Sequence, residues 1–217
     1  MNDKPLLHTS PGSQHCRRVA LLIHEAGMDV ETKIVDVRPP GMGGENETPE
    51  FLAMNPNGKV PVLTHGDLTV LESNAIMHYL CELFDDTAWL PADQKLRAEV
   101  LSWQFWQASH LSPTADGLMV ENMMKPMFGA SPDGARLEDL NLEFQRWARL
   151  LDGRLANREF LVGDALTCAD LSVVAALMYR HAAALPIDGH SHLSAWLDRL
   201  TSRRSWIDTE PPPMPGV

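Results

Sequence analysis

The sequence predicts an α/β domain followed by an all-helical one, and three observations carry that prediction. Residues 55–76 hold two short apolar runs around a Gly66-Asp67 turn and then a helical run, the pattern of a β-hairpin leading into a helix. Ahead of them, strand-like and helix-like stretches alternate. Beyond Asp85-Asp86, apolar residues recur only at helical spacing.

Taken in order, Leu6-Leu7-His8 reads as a short strand, 15–26 as a helix stopped by Gly27, and 30–37 as a strand of alternating apolar and polar residues. Residues 38–48 carry several glycines and two prolines and read as a loop. One helical turn is expected over 49–54. The hairpin follows, with Pro61 at the mouth of its first strand, where a missing N–H is tolerated and a cis Val60-Pro61 bond fits. A helix over 74–83 closes the unit. The order βαβ then ββα makes a four-stranded mixed sheet with helices on its faces. The expected domain covers 1–85, and 86–92 is the linker. From 93 to 209, Leu96, Val100, Trp103 and Trp106, then Leu140, Phe144, Trp147 and Leu151, then the run 171–179 mark helices. Thr167 with Asp170 three residues on reads as a capping box with Asp in the place of Glu or Gln, a structural device. The proline-rich stretch 210–217 cannot continue a helix and is expected to be a disordered tail.

Composition narrows the function. The chain has 217 residues and a net charge of −11, which argues against binding nucleic-acid phosphates or an anionic membrane surface. No apolar run reaches the ~20 residues of a membrane-spanning helix, and no apolar signal core follows Met1-Asn2-Asp3-Lys4-Pro5. Cys16, Cys81 and Cys168 form no Cys-x-x-Cys pair, so neither a disulfide framework nor a dithiol redox centre is implied. The histidines show no ligand spacing, and no metal site is expected. A reducing compartment, the cytoplasm, is the expected location.

The segments Asn55-Pro56-x-Gly58-Lys59-Val60-Pro61 and Glu72-Ser73-x-Ala75-Ile76, with the Gly163…Thr167-x-Ala169-Asp170 pattern further on, resemble the glutathione transferase family over nearly the whole chain. The resemblance implies a thioredoxin-like first domain, glutathione as co-substrate and a homodimer of two-fold symmetry. Carried over position by position, Lys59, Val60 and Pro61 match the contacts to the glycyl and cysteinyl parts of glutathione, and Glu72 and Ser73 match the γ-glutamyl site. Where several classes place a His-Lys pair for the glycine carboxylate, this chain has Asn46-Glu47. Asn46 is therefore a candidate ligand, while Glu47 would repel the carboxylate unless its loop turns away.

Chemistry on glutathione needs the thiolate. A free thiol titrates near ~8.5, and lowering that value by about two units takes roughly 2.7 kcal/mol of extra stabilisation of the anion. A helix N-terminus supplies ~0.5–2 kcal/mol and a charge-assisted hydrogen bond ~1.5–3 kcal/mol, so one hydroxyl at a helix start suffices. The run Ser13-Gln14-His15-Cys16-Arg17 resembles the serine-using delta and theta classes, with His15 where those classes usually carry proline, and the chain is expected to be a bacterial member of that kind. Ser13 falls on the catalytic serine and Ser10 is its rival. Cys16 reads as a buried small residue. Tyr79 and Tyr179 both lie inside helical runs, which removes a tyrosine-type site.

For the second substrate, a small apolar electrophile, the candidates are Trp106, His110, Met119, Met123 and Phe128 in the helical domain, residues that also suit core packing. The expected activity is attack of glutathione thiolate on an electrophilic carbon in a detoxifying reaction. The alternatives are a non-catalytic ligand-binding or assembly module with this fold, or a glutathione-dependent disulfide or peroxide reductase.

Overall fold

The computed structural model describes residues 4–39 and 41–212. They divide into two compact units, Met1–Leu90 joined by Asp208–Pro212, and Pro91–Ile207.

In the first unit the elements run β1 (Leu6–Thr9), α1 (Gln14–Ala26), β2 (Glu31–Ile34), α2 (Pro49–Met54), β3 (Val62–His65), β4 (Leu68–Val70) and α3 (Ser73–Leu83). The sheet order is β2-β1-β3-β4. β1 pairs parallel with β2, Leu6 opposite Glu31, and antiparallel with β3, Leu7 opposite Leu63. This is the expected four-stranded mixed sheet. Helix α1 ends where Gly27 takes a left-handed conformation (φ 62°) and its N–H closes on the Ile23 carbonyl, as glycine at that position permits. β2 is shorter than its alternating pattern implied, because its partner β1 has run out by Thr9. Past the last pairing bond, Val35 N–H to the Thr9 carbonyl, Asp36 turns instead to Glu45. Cys16, Val35, Phe51, Val60 and Val62 form a core cluster on one face of the sheet.

The second unit is helical: α4 (Gln94–Trp106), α5 (Ser112–Met119), α6 (Lys125–Met127), α7 (Gly134–Leu155), α8 (Cys168–Ala176), α9 (Ser191–Thr201) and α10 (Arg204–Asp208). Two π-helical turns, Gln107–Leu111 and Val120–Met124, join α4 to α5 and α5 to α6. Each runs directly into a helix with proline among its first residues, Pro113 and Pro126. A missing proline N–H breaks the usual ladder, and the wider turn absorbs the break. Where α5 crosses α7, Gly117 lets the helices close: a Cβ there would lie 2.7 Å from the Leu140 side chain.

Helix α8 is buried along its whole length, and Asp170 anchors it. The fully buried carboxylate accepts from Leu161 N–H at 2.8 Å, Thr167 N–H at 3.1 Å, the Thr167 hydroxyl at 3.2 Å and the Trp196 indole N–H at 3.0 Å. Burial pushes its pKa up to about 6 against the pull of those four donors, so it is ionised at neutral pH. The expected capping box is present.

No helix among the described residues is long and apolar enough to cross a membrane. Glu210, Pro211 and Pro212 are irregular, and the rest of the expected tail lies outside the described residues.

Candidate active site

Three loops of the first unit converge, and each is shaped by its own residues. The first leads from β1 into α1. Ser13 N–H closes on the Ser10 carbonyl at 3.1 Å, which turns the chain so that Ser13 sits extended (φ −95°, ψ 121°) ahead of the helix. Its hydroxyl oxygen accepts the Cys16 N–H at 3.4 Å, the geometry of an N-cap. That bond uses a lone pair of the Ser13 oxygen and leaves its hydroxyl proton able to rotate. Cys16 is 1% exposed, its sulfur receives the Ser10 N–H at 3.3 Å, and burial pushes its pKa up. A buried neutral thiol is a packing group, not a nucleophile.

The second loop is the turn before β3. Asn55 donates to the Lys59 carbonyl at 2.6 Å and accepts from Asn57 N–H at 3.1 Å, while Gly58 supplies the left-handed residue (φ 60°). The Val60-Pro61 bond is cis, as the sequence led us to expect. The turn is pinned from outside by Asn46, whose amide donates to the Gly58 carbonyl at 3.2 Å and accepts from Arg38 N–H at 3.0 Å.

The third is the start of α3. Glu72 holds φ 67°, ψ 116°, a left-handed conformation that costs a non-glycine residue about 1–3 kcal/mol. It leaves the carboxylate exposed and places buried Ser73 as the first helical residue. Such strain collects at ligand sites. Arg18, 1% exposed, donates to Asn74 at 3.4 Å and ties the first turns of α1 and α3 together.

These loops enclose a cavity of about 130 Å³ lined by His15, Asn55, Asn57, Lys59, Val60, Pro61, Glu72 and Ser73. Five residues anticipated from the sequence meet there: Lys59, Val60, Pro61, Glu72 and Ser73. Asn46 does not line it; its side chain is spent on the backbone of Arg38 and Gly58, so it supports the turn where a direct ligand was expected. Glu47 folds back to accept from Gly41 N–H at 2.7 Å and Gly43 N–H at 3.2 Å, so its carboxylate is turned into its own loop and does not line the cavity. Of the two serines, Ser13 begins the helix whose His15 lines this cavity. Ser10 lines a different hollow, of about 290 Å³, with Thr9, Cys16, Arg17 and Asp208.

His15 was passed over as a site residue, although its place two residues after the cap was the available signal. Crowding by protein, then the positive charges of Arg18 and Lys59, lower its pKa to about 4. The ring also meets solvent, which screens those effects, so the lowering is smaller than an enclosed ring would show. The imidazole is neutral at pH 7.

The second-substrate candidates lie in the second unit. Trp106 packs edge-on against Trp103 (5.3 Å) and Trp147 (5.9 Å), and its indole nitrogen is buried without a hydrogen bond. His110 leans on Trp147 at 5.2 Å. Met119 is half-buried, Met123 is in the core and Phe128 is exposed. Trp106 and His110 thus belong to one aromatic cluster, whereas Met123 is a packing residue. Among the described residues no group of three or more His, Cys, Asp or Glu is placed to hold a metal ion.

The glutathione S-transferase N-terminal domain model matches residues 7–88 and the C-terminal domain model matches residues 123–204. The chain belongs to the glutathione S-transferase family. Glutathione S-transferase 3 of Zea mays is 30% identical over 95% of this chain and 96% of its own. Among solved structures, human glutathione transferase theta-2, in complex with glutathione and an unknown ligand, has a TM-score of 0.81 at 28% identity, over 90% of this chain and 80% of that one. A family structure from Rhodospirillum rubrum F11 has a TM-score of 0.83 at 26% identity, over 98% and 94%.

Proposed function

We infer that this protein is a glutathione transferase that holds glutathione in the cavity between α1, the 55–61 turn and α3, and presents its thiolate to a small apolar electrophile. The observation that carries this reading is the convergence of Lys59, Val60, Glu72 and Ser73 on one small cavity beside the N-terminus of α1. In that arrangement Glu72 takes the γ-glutamyl ammonium, Ser73 at the helix start takes the neighbouring carboxylate, the Val60 backbone pairs with the cysteinyl amide, and Lys59 faces the glycine carboxylate. Asn46 fixes the turn that presents them. Ser13 donates its hydroxyl proton to the thiolate, and the N-terminus of α1 adds its field. The thiol proton leaves to water. The sulfur lone pair then forms the bond to carbon, and the leaving group departs with the electrons of the broken bond.

The class reading is a serine-type enzyme of theta-like character and bacterial source. The Ser13…Cys16-Arg17 pattern supports it, with a theta structure and a bacterial one among the likenesses, while the curated relatives that match include plant transferases. Residues 1–85 serve glutathione, 86–92 connect, and 93–209 supply the electrophile's contacts, with Trp106 and His110 the leading pair. Cytoplasmic residence and a homodimer complete the proposal. Light scattering should give about twice the 24.1 kDa chain mass; a monomer at micromolar concentration would remove the dimer.

Retention on immobilised glutathione together with turnover of a chloronitrobenzene tests the reading; neither retention nor turnover would leave a ligand-binding module. Ser13→Ala should lower kcat/KM for conjugation by about tenfold or more, the worth of one hydrogen bond to an anion. A larger loss in Ser10→Ala with a silent Ser13→Ala would transfer the role to Ser10.

A further inference from the structure

Among the titratable residues lining the peptide cavity, His15, Lys59 and Glu72, His15 alone has no place in the scheme above. It sits on the first turn of α1, and it shares the cavity with Lys59 and Glu72. The charged groups that face it come from three elements. Arg18 lies one turn on along α1, Lys59 comes from the 55–59 turn, and Glu72 opens α3. Asn55, Asn57 and Ser73 are uncharged, Cys16 is a neutral buried thiol, and Arg17 faces the other hollow. The free site thus sets two cations, Arg18 and Lys59, beside a neutral imidazole, with Glu72 the one carboxylate of the lining.

We propose that His15 is a positioning residue that gains a proton when glutathione binds, so that an imidazolium joins Lys59 in holding the glycyl carboxylate. This deepens the reading of the cavity as a glutathione site and rests on it. In the free protein crowding by the surrounding protein, and after it the two neighbouring cations, disfavour that proton, the direction in which the pKa is displaced. A bound carboxylate cancels part of their field and accepts a hydrogen bond from the ring. A group whose pKa rises on binding takes up a proton, and binding must then strengthen as pH falls through the interval between the free and bound values.

The experiment uses S-methylglutathione, which has no thiol to titrate, and calorimetry of the full-length protein in buffers of different ionisation enthalpy. In the wild type, binding should take up about half a proton near pH 6 and tighten about threefold or more between pH 7.5 and pH 5.5. His15→Asn, which keeps a polar group suited to a helix start, should bind with no such uptake and with a flatter pH profile. The glycyl ethyl ester of the same ligand should abolish the uptake in the wild type as well. Equal proton uptake in wild type and His15→Asn would overturn the proposal while leaving the glutathione site intact. No binding by either protein at any pH would overturn the site itself and the proposal with it.

Discussion

Glu72→Ala should weaken glutathione binding by ~1.5–3 kcal/mol, since it deletes the charge-assisted partner of the γ-glutamyl ammonium. Turnover at saturating glutathione should change less than affinity, because the contact is made equally in the ground and transition states. The backbone at Glu72 offers a second reading of the same site. Its φ of 67° is a conformation that glycine adopts without strain. Glu72→Gly should therefore lose binding as alanine does, yet raise unfolding free energy by about 1 kcal/mol relative to Glu72→Ala. Function and stability separate at one residue. Unchanged binding in either variant, measured by calorimetry, would take Glu72 out of the site.

Asp170→Ala should destabilise the helical unit by about 3–5 kcal/mol, because it orphans buried donors on Leu161, Thr167 and Trp196 together. Those donors come from the segment before α8, from the cap residue of α8 and from α9, so the loss reaches beyond one cap. Chemical denaturation gives the number; a loss below about 1 kcal/mol would reduce Asp170 to an ordinary N-cap residue. The pH dependence has a definite sign. The folded pKa of about 6 stands above the ordinary aspartate value of 3.8, so the folded protein binds this proton more tightly than the unfolded chain. The contribution of Asp170 to stability therefore grows as pH falls from about 6 towards 4, and the gap between wild type and variant should widen there.

Much of this was legible in the sequence because the signals were local. The Gly66-Asp67 hairpin, the Gly27 stop, the cis Val60-Pro61 bond and the Thr167–Asp170 box are each set by neighbours within a few residues, and each was found. Lys59, Val60, Glu72 and Ser73 line one cavity because the two short segments that carry them lie on adjoining structural elements. What the sequence hid depends on contacts between distant residues. Asn46 looks like a ligand until its amide is seen on Gly58 and Arg38. Nothing near Asp170 announces Trp196 or Leu161 as its partners. His15 shares a cavity with Glu72 because α1 packs against α3, a contact between distant segments that includes the Arg18–Asn74 hydrogen bond, 56 residues apart in sequence. The π-helical turns before Pro113 and Pro126 escaped because apolar periodicity is insensitive to one added residue per turn. Met123 and Phe128 lie close together in the sequence, yet Met123 is in the core and Phe128 faces solvent, a difference the residue types alone do not carry.

The central claim is that this cavity and the start of α1 turn bound glutathione into its thiolate at neutral pH, and the ultraviolet absorbance of the protein–glutathione complex tests it most directly. Titrated from low to high pH, the thiolate band should rise with a midpoint of about 6.5, some two units below a free thiol, and Ser13→Ala should move that midpoint upward by about one unit. A band that appears only near the ordinary thiol value in the wild type, with glutathione bound, would contradict the account.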